Sequence, residues 1–541
     1  MSGATLLENA RRIATLAWPL FVGQIAVLAF STVDTVMVAR HSALDLAALA
    51  IGASAYISTF IGFSGVVMAL GPIASQLYGS GRLVDCGRAL QQSIWLALGL
   101  SVFGCALLLY PEPFLALSKA TPEVAERVRL YLRGLACALP AALLFTAYRA
   151  FNIAVSRPKA VMALQLAALA LKVPLTALLV FGIAWSTPLG ELRLPALGAL
   201  GCGIATAIVA IGQMALAWRV LRRDPFYVRF GLRERMAGPT RAGIVPLLRL
   251  GVPMGLSLVV EVTGFTGMTF LIARSGATAV AGHQIAVNLV SLMYMLPLAI
   301  ANASGTLVAQ RIGADDPAGA RRIGWHGIAI GATAGGAFGL AAYLGRDAIT
   351  QGYTSNPVIL AAALPLLTWV ALFHLADATQ AVTAFVLRAY RIVTLPLVVN
   401  TVALWGVGIG GGFLLAFDRS GRVPAALGGA PGFWAAATLA LVVAALALLA
   451  LQVHTVRRHE RERRRRCRRQ AQAESCAGVA SKRPMPIRRQ PRWRPPAPAT
   501  FARRRAGRMP QGPARSPPAS GSRSSTPGRR GPRPAGRRRP R

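Results

Sequence analysis

Twelve apolar segments recur along the chain, at about residues 16–39, 46–78, 89–110, 130–155, 160–184, 196–221, 246–274, 277–311, 323–345, 358–387, 393–417 and 431–455. Crossing the hydrocarbon of a bilayer takes roughly 20 predominantly apolar residues in a helix. Inside lipid every backbone N–H and C=O must be satisfied within the protein, so a run of this kind is helical. Several segments exceed the required length, which predicts tilt or extension past the hydrocarbon. With 54% hydrophobic and only 14% charged residues, the expected fold class is all-α integral membrane, with twelve transmembrane helices. Met1–Arg12 is short and polar and Leu16–Ala39 is long enough to be retained, so no cleavable signal peptide is expected.

The formal charge of +40 invites a nucleic-acid reading, but its placement argues otherwise. Residues 456–541 hold 28 Lys and Arg against Glu460, Glu462 and Glu474, a net of +25; the first 455 residues hold 31 basic and 16 acidic side chains, a net of +15. Among the connections between segments, basic residues concentrate on one set: Arg11 and Arg12, Arg82 and Arg88, Arg157 and Lys159, the run Arg222 to Arg241, Arg321 and Arg322, and Arg388 and Arg391. The other set has fewer, such as Arg40, Lys119, Arg193, Arg346, Arg419 and Arg422. The bias places the first set, and both termini, in the cytoplasm.

The twelve segments form two sets of six. An offset of 234 residues aligns Pro19 with Pro253, Gly71 with Gly305, Gln76 with Gln310, Gly79 with Gly313 and Arg88 with Arg322. Pro, Gln and Arg seldom coincide in apolar sequence by chance. Six crossings is an even number, so both copies enter from the same side; the repeat is parallel, about an axis along the membrane normal, with a cavity expected between the halves. The expected domains are a six-helix lobe over 1–221, a basic cytoplasmic connector over 222–245, a second six-helix lobe over 246–455, and a disordered Arg/Pro-rich tail over 456–541. Two readings of the tail stand open: a basic cluster that binds anionic lipid, or a G/C-rich frame read past or beside the natural stop.

Charged groups inside the spans are the candidates for chemistry. Of the acidic residues before 456, only Asp34, Glu261 and Asp377 sit well inside apolar segments. A carboxylate at that depth costs at least about 2.5–3.5 kcal/mol, so it faces a partner, an ion or water. It can serve as a proton carrier or as a hard oxygen ligand for a small cation such as Na⁺. Ser31, Thr32, Thr263 and Thr266 stand close enough in sequence to hydrogen-bond these carboxyls or to complete an ion's oxygen shell. His374, one turn before Asp377, either couples to its protonation or packs in the core. Lys172, two residues before Pro174, either pairs with Asp34 or snorkels to an interface. The six cysteines, Cys86, Cys105, Cys137, Cys202, Cys467 and Cys476, show no metal-ligand or disulfide spacing. There is no GxxxxGK[ST] loop and no GxSxG elbow, so neither ATP hydrolysis nor hydrolytic catalysis is supported.

These residues resemble the multidrug and toxic compound extrusion (MATE) family, in its NorM-type bacterial branch, over about residues 8–455. The likeness rests on P-L-F-V-G-Q at 19–24 with V-D-T-V-M at 33–37, V-P-L-T-A-L-L-V-F-G at 173–182, and G-C-G-I-A-T-A-I-V at 201–209. In the second half it rests on E-V-T at 261–263, A-G-H-Q-I-A-V-N at 281–288, D-A-T-Q at 377–380 and L-R-A-Y at 387–390. The resemblance implies two six-helix lobes in a bacterial inner membrane and export of bulky, often cationic drugs against inward Na⁺ or H⁺, without a cofactor. By position, Glu261 and Asp377 match second-lobe cation-site carboxylates, Asp34 the first-lobe carboxylate, and Gln284 and Asn288 polar positions of the eighth helix. Two departures stand out: Phe373 replaces the usual Tyr one turn before the tenth-helix Asp, and Lys172 replaces an Asn. The missing hydroxyl weakens the argument for Na⁺. We therefore expect a secondary active efflux antiporter, not an enzyme, acting as a monomer in the lipid bilayer on small drugs and organic cations, with no nucleic-acid partner. A flippase for lipid-linked precursors is the alternative from the same architecture.

Overall fold

The computed structural model describes residues 5–118, 120–187, 190–418 and 424–480. The chain divides into two compact units, 1–472 and 473–541. Among the described residues twelve helices, all in the first unit, are long and apolar enough to cross a membrane: α1 Leu6–His41, α2 Ala43–Gly79, α3 Leu83–Leu109, α4 Pro122–Ala154, α5 Pro158–Phe181, α6 Gly198–Arg223, α7 Arg241–Ser275, α8 Ala277–Gly313, α9 Pro317–Leu344, α10 Val370–Ala389, α11 Thr394–Ala416 and α12 Ala430–Glu462. Each of the twelve expected segments has its helix. A short antiparallel hairpin pairs Ile183–Thr187 with Gly190–Leu194 between α5 and α6.

Local chemistry sets many of the boundaries. Thr5 caps α1 by accepting from the Glu8 N–H at 3.3 Å, and Asp316 caps α9 by accepting from Gly319 N–H at 2.9 Å. Proline opens α4, α5 and α9, where its missing N–H has no helical partner to lose. The expected span 358–387 is instead two helices, Pro357–Leu367 and Val370–Ala389. Pro365 lies within one turn of the break and interrupts the hydrogen-bond ladder there. The last helix continues to Ala480, beyond the end expected at residue 455. The remainder of the expected tail, residues 481–541, lies outside the described residues, as do Lys119, Arg419 and Arg422.

Two helices are more deeply enclosed than the rest: in α4 and α10 about two thirds or more of the spanning window is buried, 67% and 72%. A polar side chain at a buried position of either is held among other helices rather than against lipid. The connector between the lobes is also packed down. Gln92 of α3 donates to Gly238 O at 2.8 Å and accepts from Thr240 N–H at 2.8 Å, and the Trp95 indole donates to Ala237 O at 2.9 Å. Tyr227 and Phe230 of the connector are buried in the first-lobe core.

The lobes meet along small residues. Between α2 and α7, an added Cβ on Gly65 would overlap the Gly255 backbone, one on Gly255 the Gly62 carbonyl, and one on Gly251 the Val66 carbonyl. At the arginine-rich end the contact is nearly symmetric. The Gln76 amide of the first lobe donates to Ala389 O of the second at 2.7 Å, while Gln310 of the second donates to Ala154 O of the first at 2.8 Å. Gly79 abuts the Gln310 backbone and Gly313 the Gln76 backbone, so closely that neither position has room for a side chain. The residues that align under the repeat are thus the ones that close this end.

Candidate functional site

In the first lobe, the Lys172 ammonium of α5 meets Asp34 Oδ1 of α1 at 2.7 Å and donates to Thr206 Oγ1 of α6 at 2.6 Å. Thr206 in turn donates to Cys202 O at 2.9 Å. The Lys172 side chain is fully buried and that of Asp34 is 13% exposed. Of the two readings of Lys172, pairing is the one realised; snorkelling is excluded by burial of the whole side chain. A buried cation of this kind persists because its charge is neutralised in place.

In the second lobe, Glu261 of α7 and Asp377 of α10 lie within electrostatic range of one another. Asp377 is 8% exposed and Glu261 half-buried. Among the described residues no hydrogen bond or salt bridge ties down either carboxylate. The neighbouring hydroxyls do not supply one. Thr263 and Thr266 donate to the carbonyls of Val259 and Val262, one turn back, at 2.6 and 2.9 Å, and Thr379 to Leu375 O at 2.7 Å. In the first lobe Ser31 and Thr32 likewise donate to Leu28 O. In a helix a carbonyl one turn back is within reach of such a hydroxyl and takes its proton here, leaving the hydroxyl oxygen as an acceptor.

Arg388, counted from sequence among the connection charges, stands in the last turn of α10, in electrostatic range of Glu261 and of Tyr294 on α8. Its guanidinium also sits 4.2 Å from the Phe385 ring centroid. Tyr294 is in range of Glu261, Asp377 and Arg388 together. The second-lobe cluster is thus two acids, one base and a phenol.

His374 is fully buried, with its ring close to the Met293 backbone of α8. A Cβ on Gly339 of α9 would meet the His374 Cβ at 3.1 Å, so this residue packs against α9. A second histidine, not singled out from sequence, is better integrated. Trp434 Nε1 donates to His283 Nδ1 at 3.2 Å, and His283 Nε2 lies 2.9 Å from Thr269 Oγ1. Since the indole can only donate, Nδ1 accepts and Nε2 carries the proton, with Thr269 passing its own to Phe265 O at 3.0 Å. Phe373 packs into this cluster, its ring 5.4 Å from Trp434 and 6.4 Å from Phe265. Gln284 and Asn288 are exposed on α8, and the Asn288 amide donates to Gln284 O at 3.0 Å.

Among the described residues no cluster of three or more His, Cys, Asp or Glu has the geometry to hold a metal ion.

Comparison with known proteins agrees with this architecture. The MatE family model matches residues 19–178 and again 253–414, two matches whose starts differ by 253 − 19 = 234, the repeat offset. The chain is 38% identical over 439 residues to "Probable multidrug resistance protein NorM" of Aromatoleum aromaticum, covering 81% of this chain and 92% of the relative. It is 32% identical over 483 residues to "Multidrug resistance protein PmpM" of Pseudomonas aeruginosa, covering 88% and 98%. Among solved structures, the eukaryotic MATE transporter AtDTX14 superposes with a TM-score of 0.72 at 19% identity, covering 84% of this chain and 98% of that one. An outward-facing multidrug resistance MATE family transporter of the MOP superfamily gives 0.73 at 16% identity, covering 85% and 99%. The chain belongs to the MatE family of multi-pass membrane transporters.

Proposed function

We propose that this chain is a secondary active multidrug efflux antiporter of the bacterial inner membrane, exporting bulky, often cationic compounds in exchange for Na⁺ or H⁺. The observation that carries the reading is the pair Glu261 and Asp377, two carboxylates at membrane depth, within range of each other and held by no hydrogen bond or salt bridge among the described residues. Two such charges repel, and both lose hydration. One H⁺ or Na⁺ between them relieves both penalties, so a cation arriving from the outer side changes the balance between conformations. The relatives named for multidrug resistance support drugs as cargo. One charge moving through 100 mV supplies about 2.3 kcal/mol, enough in scale to bias such a balance.

Coupling belongs to the second lobe in this account. Asp34 is neutralised by Lys172, so the first-lobe carboxylate takes part only if that pair separates. Ser31, Thr32, Gln284 and Asn288 are exposed on α1 and α8; polar groups of this kind are costly against lipid and suit a wet surface that receives cargo. The closed, arginine-rich end faces the cytoplasm with both termini, and the chain acts as a monomer. A flippase would use several cations lining its cavity, and the burial of Lys172 in an ion pair removes the one that favoured it. Efflux of a fluorescent organic cation from vesicles, with Na⁺ and pH gradients imposed separately, tests the proposal. Efflux driven by at least one gradient is expected; efflux indifferent to both overturns it.

A further inference from the structure

Where α7 carries Glu261, a neighbouring helix takes hold of its backbone. The Trp405 indole of α11 donates to Val260 O of α7 at 3.3 Å, the carbonyl of the residue immediately before Glu261. In the ladder of α7 that carbonyl also serves the N–H four residues on, at Gly264, and a carbonyl oxygen has a second lone pair for the indole. The approach is set by glycine: a Cβ on Gly264 would stand 3.8 Å from Trp405 Nε1 and 4.0 Å from Leu404 Cβ, and one on Gly267 3.3 Å from Ile409 Cδ1. The part of α11 that makes these contacts is not α-helical. Val402–Gly411 is π-helical, four of its ten residues are glycine, and α-helical Thr394–Thr401 and Gly412–Ala416 flank it. Such stretches are rare, most last a single turn, and they recur at functional sites.

The polar side chains of this part of α7 hold it to nothing else. Ser257, Thr263 and Thr266 all donate back to carbonyls of α7 itself, at 2.8, 2.6 and 2.9 Å, so among the described residues the indole is the hydrogen bond that ties the turn around Glu261 to another helix. We infer that Trp405 is a positioning residue for the cation site, fixing through Val260 O the rotation of the α7 turn that bears Glu261. The inference rests on the reading of Glu261 and Asp377 as that site. Consecutive side chains leave a helix about 100° apart, so a turn held at Val260 presents Glu261 in one direction, toward Asp377 and Tyr294, within whose range it lies. One cation shared by two carboxylates needs both to converge, and a turn free to swivel offers Glu261 over a spread of angles and binds the cation less tightly. Trp405 acts on the cation through the backbone and touches neither carboxylate.

The test is efflux of a fluorescent organic cation from vesicles holding the full-length chain, measured as the concentration of the driving cation, Na⁺ or H⁺, is varied. Trp405→Phe deletes the N–H and keeps an aromatic ring. Its half-saturating cation concentration is expected to rise about threefold or more, the scale of one interhelical hydrogen bond in a membrane, while the rate at saturating cation is kept. Gly264→Leu, whose side chain displaces the indole, is expected to shift the midpoint the same way and serves if Trp405→Phe does not fold. A purely structural role would instead lower the maximal rate and leave the midpoint alone; that result, or an unmoved midpoint at full rate, in a driven transporter overturns this inference by itself. A wild type driven by neither gradient overturns the antiporter reading, and this inference falls with it.

Discussion

The Asp34–Lys172 pair permits a quantitative prediction. At 2.7 Å and an effective dielectric of about 20, Coulomb attraction is about 6 kcal/mol. Desolvation of both groups offsets much of this, so the net worth of the pair against an apolar replacement is small. Breaking it is a different matter. Lys172 is fully buried, and Asp34→Asn leaves its ammonium with only the Thr206 hydroxyl. We expect Asp34→Asn and Lys172→Met each to cost about 3–5 kcal/mol, the range for an uncompensated buried charge. The double variant Asp34→Asn/Lys172→Met should cost far less than the sum. Unfolding of the purified protein titrated with SDS, read by circular dichroism, gives the four corners of the cycle. Additive losses would refute the reasoning, since they would mean that the two groups do not neutralise each other.

Three further outcomes are expected at the lobe boundary and in the second-lobe core. Gln76→Leu and Gln310→Leu each strand a carbonyl across the interface, costing the closed end about 1–3 kcal/mol, or roughly five- to hundredfold in population; faster maleimide labelling of a cysteine placed at Asn302 is the readout, and an unchanged rate contradicts the latch. Gly79→Val and Gly313→Val should keep the lobes folded but hold this end open, because the facing backbone of Gln310 or Gln76 cannot yield; labelling at the wild-type rate in both would show that the close approach is dispensable. His283→Phe leaves the Trp434 N–H without its acceptor, and a fall in thermal stability corresponding to about 1–3 kcal/mol is expected; a stability equal to wild type would mean that the histidine chain is not needed for packing.

Much of the architecture was legible from residues alone because lipid imposes a length and a polarity on every crossing. That is why all twelve spans and the 234-residue offset could be read. The three intramembrane carboxylates were legible for the same reason: each is expensive where it stands. What the sequence could not show was which way a side chain points. Arg388 was legible as a charge at a span end, but not as one whose last-turn position on α10 puts it in range of Glu261. Lys172 could equally have snorkelled or paired. The buried contact of Asp45 with Arg127 at 2.6 Å and His41 at 2.8 Å was hidden because Asp45 and Arg127 are far apart in sequence. Gln76 and Gln310 were visible as a repeat match, but their roles appear only when each is seen to reach into the other lobe.

The central claim is that Glu261 and Asp377 form the cation site that drug export depends on. Addition of an organic-cation substrate to purified protein in weakly buffered solution, with proton release and bound ²²Na⁺ followed together, tests it most directly. The wild type should release H⁺ or Na⁺ as substrate binds, while Glu261→Gln and Asp377→Asn, folded to the same extent, should release neither and should fail to confer drug resistance. Cation release of wild-type size from both variants, or intact resistance in either, would contradict the account.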